Sequence, residues 1–172
     1  ALAKLTNFVP DGGIWLNTQR PEWNDANNAL AGPGLSMVTL HHLRRYLSLL
    51  ESIVETAPGY SAAVTASVGD WLGDLRPIHG AHAVGPVDDV ERRTIVDLLG
   101  RRGESHRGRV RRGVGSEKIE LPLADVRDLC ESSLAHLDSS IAAGRRADGL
   151  HRSYNRVSFP TDTTACVDHL GP

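Results

Sequence analysis

Apolar residues recur at helical spacing in the stretch that begins at Leu35. Their intervals are three or four residues: Leu40, Leu43, Leu47, Leu50 and Val54. This spacing places the apolar side chains on one face of a helix. Ser36 stands before the run as a candidate N-cap, and Pro58-Gly59 follows it. The pattern predicts a first helix at about residues 36–56.

Three further stretches carry helical periodicity, at about residues 61–75, 87–99 and 123–143. Elsewhere no segment alternates apolar and polar residues firmly, and only a short strand near 154–159 is expected. The rhythm of helix, loop and helix predicts an all-α fold built of helical hairpins. Helices of this length pack antiparallel in α-solenoids and α/α toroids.

The segments between these helices are expected to be loops. Residues 1–34 are dense in Pro, Gly and Asn and predict a long loop region of the active-site type. Residues 77–86 and 100–117 are also read as loops, and 147–172 as a loop-rich tail. The 172 residues suit a single domain, or a fragment of a larger catalytic domain, with the helical hairpins spanning 35–146.

Composition and charge argue against several classes of function. The formal net charge of −2 gives no general case for nucleic-acid binding. Eight arginines lie between residues 92 and 112, but no aromatic residue alternates with them for base stacking. No apolar run is long enough for a membrane span. The start of the chain is too short and too polar for a signal-peptide core, and the two cysteines lack metal-finger spacing. We therefore expect a cytoplasmic protein.

The segment from Trp15 to Leu30 carries the candidate chemistry. Two carboxylates, Glu22 and Asp25, lie three residues apart among tryptophan, asparagine and arginine. Indole faces stack on sugar rings, and amide and guanidinium groups bind hydroxyls. A carboxylic acid with a raised pKa protonates a glycosidic oxygen as the bond breaks. The segment therefore predicts an oligosaccharide or glucan as the partner.

The run Glu22-Trp23-Asn24-Asp25-Ala26-Asn27 resembles the Asp-Trp-Asn-Asp-Gly-x-Asn block of inverting glycoside phosphorylases. These are the cellobiose- and cyclic-glucan-type enzymes of the six-hairpin (α/α)6 glycosidase superfamily. The resemblance implies an incomplete portion of an (α/α)6 toroid. It also implies cleavage of a β-glucosidic bond by an inverting route, with inorganic phosphate as a second partner if the reaction is phosphorolysis.

The resemblance assigns a role to each site residue. Asp25 matches the general acid, and Glu22 would tune its pKa or bind a hydroxyl. Trp15 and Trp23 would stack on the sugar. The residues expected to hold hydroxyls, shape the loop or line the cleft are Arg20, Asn24, Asn27, Asn28 and Tyr154.

Each of these assignments has a purely structural alternative. The alternative is that the loop from 15 to 30 is a structural turn in a non-catalytic helical binding or scaffold module. His79 and His82 have no acidic or cysteine partner nearby in the sequence, so no metal site is expected. No nucleotide-binding motif is present, and no cofactor is implied. A partial toroid would leave apolar helix faces for an oligomer or for the missing remainder of the domain.

Overall fold

The computed structural model describes residues 1–16, 31–82, 84–113 and 115–170. Within these ranges 54% of the structure is helical and 19% is strand, arranged as two antiparallel sheets beside the helices. The protein is therefore an α+β fold. The predictions of an all-α fold and of a partial (α/α)6 toroid are wrong, because a curled five-stranded sheet forms one side of the molecule.

The helices and strands have the following bounds. The helices are α1 Leu2–Leu5, α2 Met37–Glu55, α3 Ala66–Ala81, α4 Asp89–Arg111 and α5 Leu123–Ala143. The strands are β1 Phe8–Val9, β2 Gly13–Trp15, β3 Gly34–Ser36, β4 Ser61–Thr65, β5 Lys118–Pro122, β6 Tyr154–Ser158 and β7 Cys166–His169.

The larger sheet has the order β1-β2-β3-β6-β7, and every neighbouring pair is antiparallel. At its centre β3 hydrogen-bonds to β6, so that Leu35 lies opposite Asn155. The smaller sheet pairs β4 with β5, from Ser61 opposite Pro122 to Thr65 opposite Lys118. Both sheets therefore join segments that are far apart in the chain.

The two faces of the larger sheet carry separate hydrophobic clusters. Phe8 and Ile14 belong to the main core, which also contains the buried sides of α2, α3, α4 and α5. Val9, Leu35 and Val157 belong to a second cluster, together with Val96 of α4. This division follows from the period of two along a strand, and it determines on which side of the sheet each candidate site residue lies.

The first 16 residues contain regular structure where the sequence predicted a loop. Strands β1 and β2 form a hairpin in which Phe8 pairs with Ile14. The turn between them contains Asp11 at φ 60°, and β2 begins at Gly13 with φ 126°, conformations that aspartate and glycine tolerate best. The local density of Pro and Gly therefore marks a tight turn between two short strands.

The predicted helix at 61–75 begins later than expected. Residues 61–65 are strand β4, and α3 runs from Ala66 to Ala81. Gly69 permits this arrangement, because a Cβ there would collide with Cδ1 of Ile119 on β5. Glycine at this position lets α3 lie against the smaller sheet without displacing the side chain of Ile119.

Both α3 and α4 extend beyond the predicted ends. Pro77 lies inside α3, although proline removes one backbone hydrogen bond. Helix α4 continues to Arg111, through residues 100–111 that were predicted as loop. Ion pairs join the two helices: Arg102 to Asp74, and Arg109 to Asp70 and Asp74. Beyond Pro77, Ile78 and His79 of α3 are buried, and packing of this kind overrides the low helix propensity of proline and glycine.

The remaining helical predictions agree with the structure. The segment predicted at 36–56 is α2, and Oγ of Ser36 accepts a hydrogen bond from the backbone N–H of Thr39 at 3.0 Å. The segment predicted at 123–143 is α5, and the strand expected near 154–159 is β6. Across the described ranges, none of the helices combines the length and the apolar character that a membrane span requires.

Candidate functional site

An open groove of about 590 Å³ lies between α4 and the ends of strands β2 and β6. One wall carries the aromatic side chains of Trp15 and Phe159, and the other is the surface of α4. The α4 residues that line it are Arg93, Val96, Asp97, Gly100, Arg101 and Glu104. The groove thus combines exposed aromatic rings with charged groups of both signs.

The aromatic wall is held in place by three contacts. Nε1 of Trp15 donates a hydrogen bond to the carbonyl oxygen of Gly32 at 2.6 Å. The rings of Trp15 and Phe159 lie 5.6 Å apart at an angle of 45°. The guanidinium of Arg93 lies 5.1 Å from the centre of the Phe159 ring. Such contacts fix the orientation of the rings before any ligand arrives.

The charged wall contains two carboxylates, and both are paired with arginine. Nε of Arg93 lies 2.9 Å from Asp97 across one turn of α4. Glu104 pairs with Arg107 at 2.9 Å and with Arg111 at 3.3 Å. The hydrogen bond from Arg107 and its positive charge lower the pKa of Glu104. Glu104 is therefore ionised at neutral pH and accepts hydrogen bonds but does not donate a proton.

The floor of the groove is apolar and open. Val96 is buried against the second cluster of the sheet. Gly100 lies one turn further along α4, and a Cβ at that position would meet no other atom within 4 Å. Packing therefore does not require glycine at position 100. The missing side chain at Gly100 leaves open space above the helix backbone, within the groove.

Most of the sequence-predicted site residues lie outside the described part of the structure. These are Arg20, Glu22, Trp23, Asn24, Asp25, Asn27 and Asn28. The segment that contains them, residues 17–30, connects β2 to β3. Just before this segment, the backbone N–H of Leu16 donates to the carbonyl oxygen of Gly34 at 3.0 Å. The chain therefore enters and leaves this connection beside Trp15, at the rim of the groove.

Tyr154 lies on the opposite side of the sheet from Trp15. In the ladder, Tyr154 pairs with Ser36, and Ser36 pairs with Ile14 of the main core. Trp15 pairs with Leu35, which belongs to the second cluster. Cross-strand partners share a face, so the structure does not bring these two predicted site residues together.

Sequence reasoning missed the rest of the groove. Phe159 follows β6 immediately, and nothing in the local sequence links it to Trp15. The pair Arg93 and Asp97 did carry a signal, because opposite charges four residues apart lie on the same helix face. This pair lies inside the helix predicted at 87–99, whereas Arg101 and Glu104 were missed because that helix was predicted to end at 99.

A second group of interest is a buried pair of histidines next to the main core. Nε2 of His136 lies 2.9 Å from the backbone oxygen of His79, and the two rings are 6.0 Å apart. Burial lowers the pKa of His79 to about 3, with smaller contributions from His136 and His82. Among the described residues, no three His, Cys, Asp or Glu side chains are arranged to hold a metal ion.

Comparison of the sequence with protein-family models and with curated proteins gave no match. The resemblance to six-hairpin enzymes is therefore without support from relatives, and the antiparallel sheet contradicts it. A functional assignment therefore has to come from the groove and from the residue types of the segment between β2 and β3.

Proposed function

We propose that this protein is a carbohydrate-binding protein that holds an oligosaccharide in the groove beside Trp15. The observation that carries the proposal is the pairing of two partly exposed aromatic rings, Trp15 and Phe159, 5.6 Å apart. Aromatic faces of this kind stack on the C–H side of a sugar ring, and burial of the two surfaces stabilises the complex.

The charged wall supplies the hydrogen bonds that such a ligand requires. Sugar hydroxyls both donate and accept, and the groove offers both functions. Asp97 and Glu104 accept, while Arg93 and Arg101 donate. With these four groups the wall has no net charge, which suits a neutral glycan better than a polyanion.

Cleavage of the bound sugar is the second part of the proposal, and it rests on the segment 17–30. Glu104 is held ionised by arginine, and Asp97 is in an ion pair with Arg93. A proton donor is therefore expected from elsewhere, and Asp25 is the residue we propose, with Glu22 beside it in the sequence. The bond expected to break is a β-glucosidic bond, by an inverting route.

A non-catalytic binding module is the second candidate. Arginine pairing of both carboxylates in the described groove favours it, because neither group is suited to act as an acid. The sugar site is the same in the two candidates, and they differ only in whether Asp25 transfers a proton.

The test is a titration with neutral β-glucan oligosaccharides, followed by tryptophan fluorescence and by calorimetry. Trp15→Ala and Phe159→Ala are each expected to abolish binding. Tyr60→Ala is the matched control, because Tyr60 is an exposed aromatic residue outside the groove. Equal affinity in the Trp15→Ala and Tyr60→Ala proteins would contradict the groove as the site.

Release of reducing sugar or of sugar 1-phosphate then separates the two candidates. Asp25→Asn is expected to retain binding and to lose any turnover. If the wild-type protein binds the glycan and shows no turnover, with or without phosphate, the non-catalytic module is the correct candidate.

A further inference from the structure

A second, smaller cavity of about 100 Å³ adjoins the groove beside Trp15. Trp15, Val96 and Gly100 line both spaces. A Cβ at Gly100 would meet no other atom within 4 Å, so the two spaces meet above this residue. The smaller cavity is called the side chamber below. Its other lining residues are Thr6, Asn7, Phe8, Val9 and Arg107.

The side chamber is too small for a sugar ring. A water molecule takes up about 30 Å³ in the liquid, so the volume of the chamber corresponds to about three waters. A ligand that lies in the groove therefore reaches the chamber only with a substituent of a few non-hydrogen atoms.

One side of the chamber is polar. Thr6 is only 4% exposed, and its Oγ1 donates to the carbonyl oxygen of Ala3 at 3.0 Å, which leaves the hydroxyl oxygen able to accept a hydrogen bond. A Cβ at Gly103 would lie 3.2 Å from this Oγ1 and 3.3 Å from Nη1 of Arg107. The hydroxyl and the guanidinium therefore border the same small space, and the amide of Asn7 adds both a donor and an acceptor.

The guanidinium of Arg107 is held in place by Glu104. Nε of Arg107 donates to Oε2 of Glu104 at 3.0 Å, and Nη2 lies 2.9 Å from the same oxygen. The third nitrogen, Nη1, lies beside Thr6, where a carbonyl oxygen can accept from it. A carboxylate in the chamber is a poorer match, because the nearby charge of Glu104 repels it.

The opposite side of the chamber is apolar. Val9 and Val96 are 1% and 8% exposed and belong to the second cluster of the larger sheet. A purely polar substituent such as a hydroxyl would leave this apolar surface uncovered. The lining therefore favours a small group that has both a hydrogen-bonding part and an apolar part.

An acetamido group meets these requirements of size and chemistry. Its carbonyl oxygen accepts from Arg107 or Asn7, its N–H donates to the hydroxyl oxygen of Thr6, and its methyl group covers the two valines. We propose that the side chamber holds the acetamido group of an N-acetylated amino sugar whose ring lies in the groove. This inference rests on the proposed sugar binding and specifies its ligand as a neutral glycan of N-acetylated amino sugars.

Calorimetric titration with two neutral probes tests the inference. The probes are the β-linked trimer of glucose and the β-linked trimer of N-acetylglucosamine with the same linkage, which differ only in the acetamido groups. The acetylated trimer is expected to bind at least about tenfold more tightly, since this ratio corresponds to one or two additional net hydrogen bonds.

Substitutions in the chamber are expected to remove this preference. Arg107→Met and Asn7→Ala each take away a donor, so the ratio of the two affinities falls towards one. Arg111→Met is the matched control, because Arg111 also pairs with Glu104, at 3.3 Å, but does not line the chamber. Its ratio is expected to stay at the wild-type value. Circular dichroism establishes that all three variants are folded.

The outcomes separate this inference from the proposed function on which it rests. Equal affinity of the wild-type protein for the two trimers overturns the acetamido site and leaves sugar binding in the groove intact. A preference that survives both Arg107→Met and Asn7→Ala overturns the side chamber as its source. Binding of neither trimer overturns the proposed sugar binding, and the acetamido site with it.

Discussion

Arg92 and Asp11 form a buried ion pair that ties α4 to the hairpin of β1 and β2. Nη2 of Arg92 lies 3.2 Å from Oδ2 of Asp11, and only 8% and 11% of the two side chains are exposed. The same guanidinium donates to the backbone oxygens of Pro10, Val87 and Ala165. One side chain thus satisfies acceptors on three separate segments of the chain.

Substitution of Arg92 is expected to destabilise the fold strongly. Arg92→Met removes the cationic partner of the Asp11 carboxylate and the guanidinium donor of three carbonyl groups, and loss of one partner of a buried pair costs about 3–5 kcal/mol. Urea denaturation followed by circular dichroism measures the change. The control is Arg101→Met, because Arg101 is exposed and has no ion pair with any described residue. Its effect is expected within about 0.5 kcal/mol of zero. Similar losses in both variants would contradict the structural role of Arg92.

The stability of the protein is expected to fall on acidification because of His79. In the unfolded chain this imidazole titrates near its ordinary pKa of 6.5, while burial in the fold lowers the pKa to about 3. Between these values the unfolded state binds more protons, so stability is complete above 6.5 and is lost as the pH falls towards 3. The contribution of this group is at most about 1.4 kcal/mol per pH unit.

His79→Leu provides the measurement. Nε2 of His79 has no hydrogen-bond partner among the described residues, so the substitution removes the titrating group without breaking a side-chain hydrogen bond. Denaturation at pH 7 and at about pH 5 is expected to show a shallower loss of stability in the variant. An unchanged slope would mean that other groups govern the acid response.

Two glycines in neighbouring helices are expected to respond oppositely to alanine. Gly100→Ala stabilises α4 by about 0.5–1 kcal/mol, because nothing lies within 4 Å of the new Cβ. Gly69→Ala destabilises the fold by about 1–3 kcal/mol, because the Cβ collides with Ile119. Thermal unfolding of the two variants checks both signs. If Gly100→Ala also weakens oligosaccharide binding, the glycine keeps the groove open.

The two cysteines are expected to differ in reactivity towards a thiol reagent. Cys130 is buried, and desolvation raises the pKa of its thiol to about 11. Cys166 is partly exposed, and its hydrogen bond to Asp89 raises the pKa of its thiol. Both thiols are therefore expected to react slowly with the reagent, and Cys166 is expected to react faster than Cys130. Mass spectrometry after timed labelling is expected to find modification at Cys166 first, and at both positions only after denaturation.

Local patterns in the sequence correctly predicted α2 and α5. The apolar residues of α2 recur within the helix itself, and its cap, Ser36, contacts a residue only three positions away. Such signals need no knowledge of the remaining chain. The ends of α3 and α4 were missed because their contacts are distant in the sequence: His79 near the end of α3 is buried beside His136 of α5, and Arg109 of α4 pairs with Asp70 and Asp74 of α3. Local periodicity does not contain these contacts.

The strands of the larger sheet other than β6 were not predicted, for a related reason. Its strands contain two to five residues, too few for an alternating pattern to stand out. Their stability comes from pairing partners such as Leu35 and Asn155, which are 120 positions apart. Half of the groove was missed for the same reason. Trp15 was singled out from its neighbours in the sequence, whereas Phe159 comes close to Trp15 only because the sheet brings β2 and β6 together.

The pairing of β3 with β6 sets the order in which the chain can fold. Asn155 of β6 follows its partner Leu35 of β3 by 120 positions, so β3 has no neighbour on that side until β6 has been synthesised. An unpaired strand edge invites association with other chains, and pairings of such long range form slowly. Nascent or truncated versions that stop before Tyr154 are therefore expected to depend on chaperones and to aggregate, even though all five helices are already present in them.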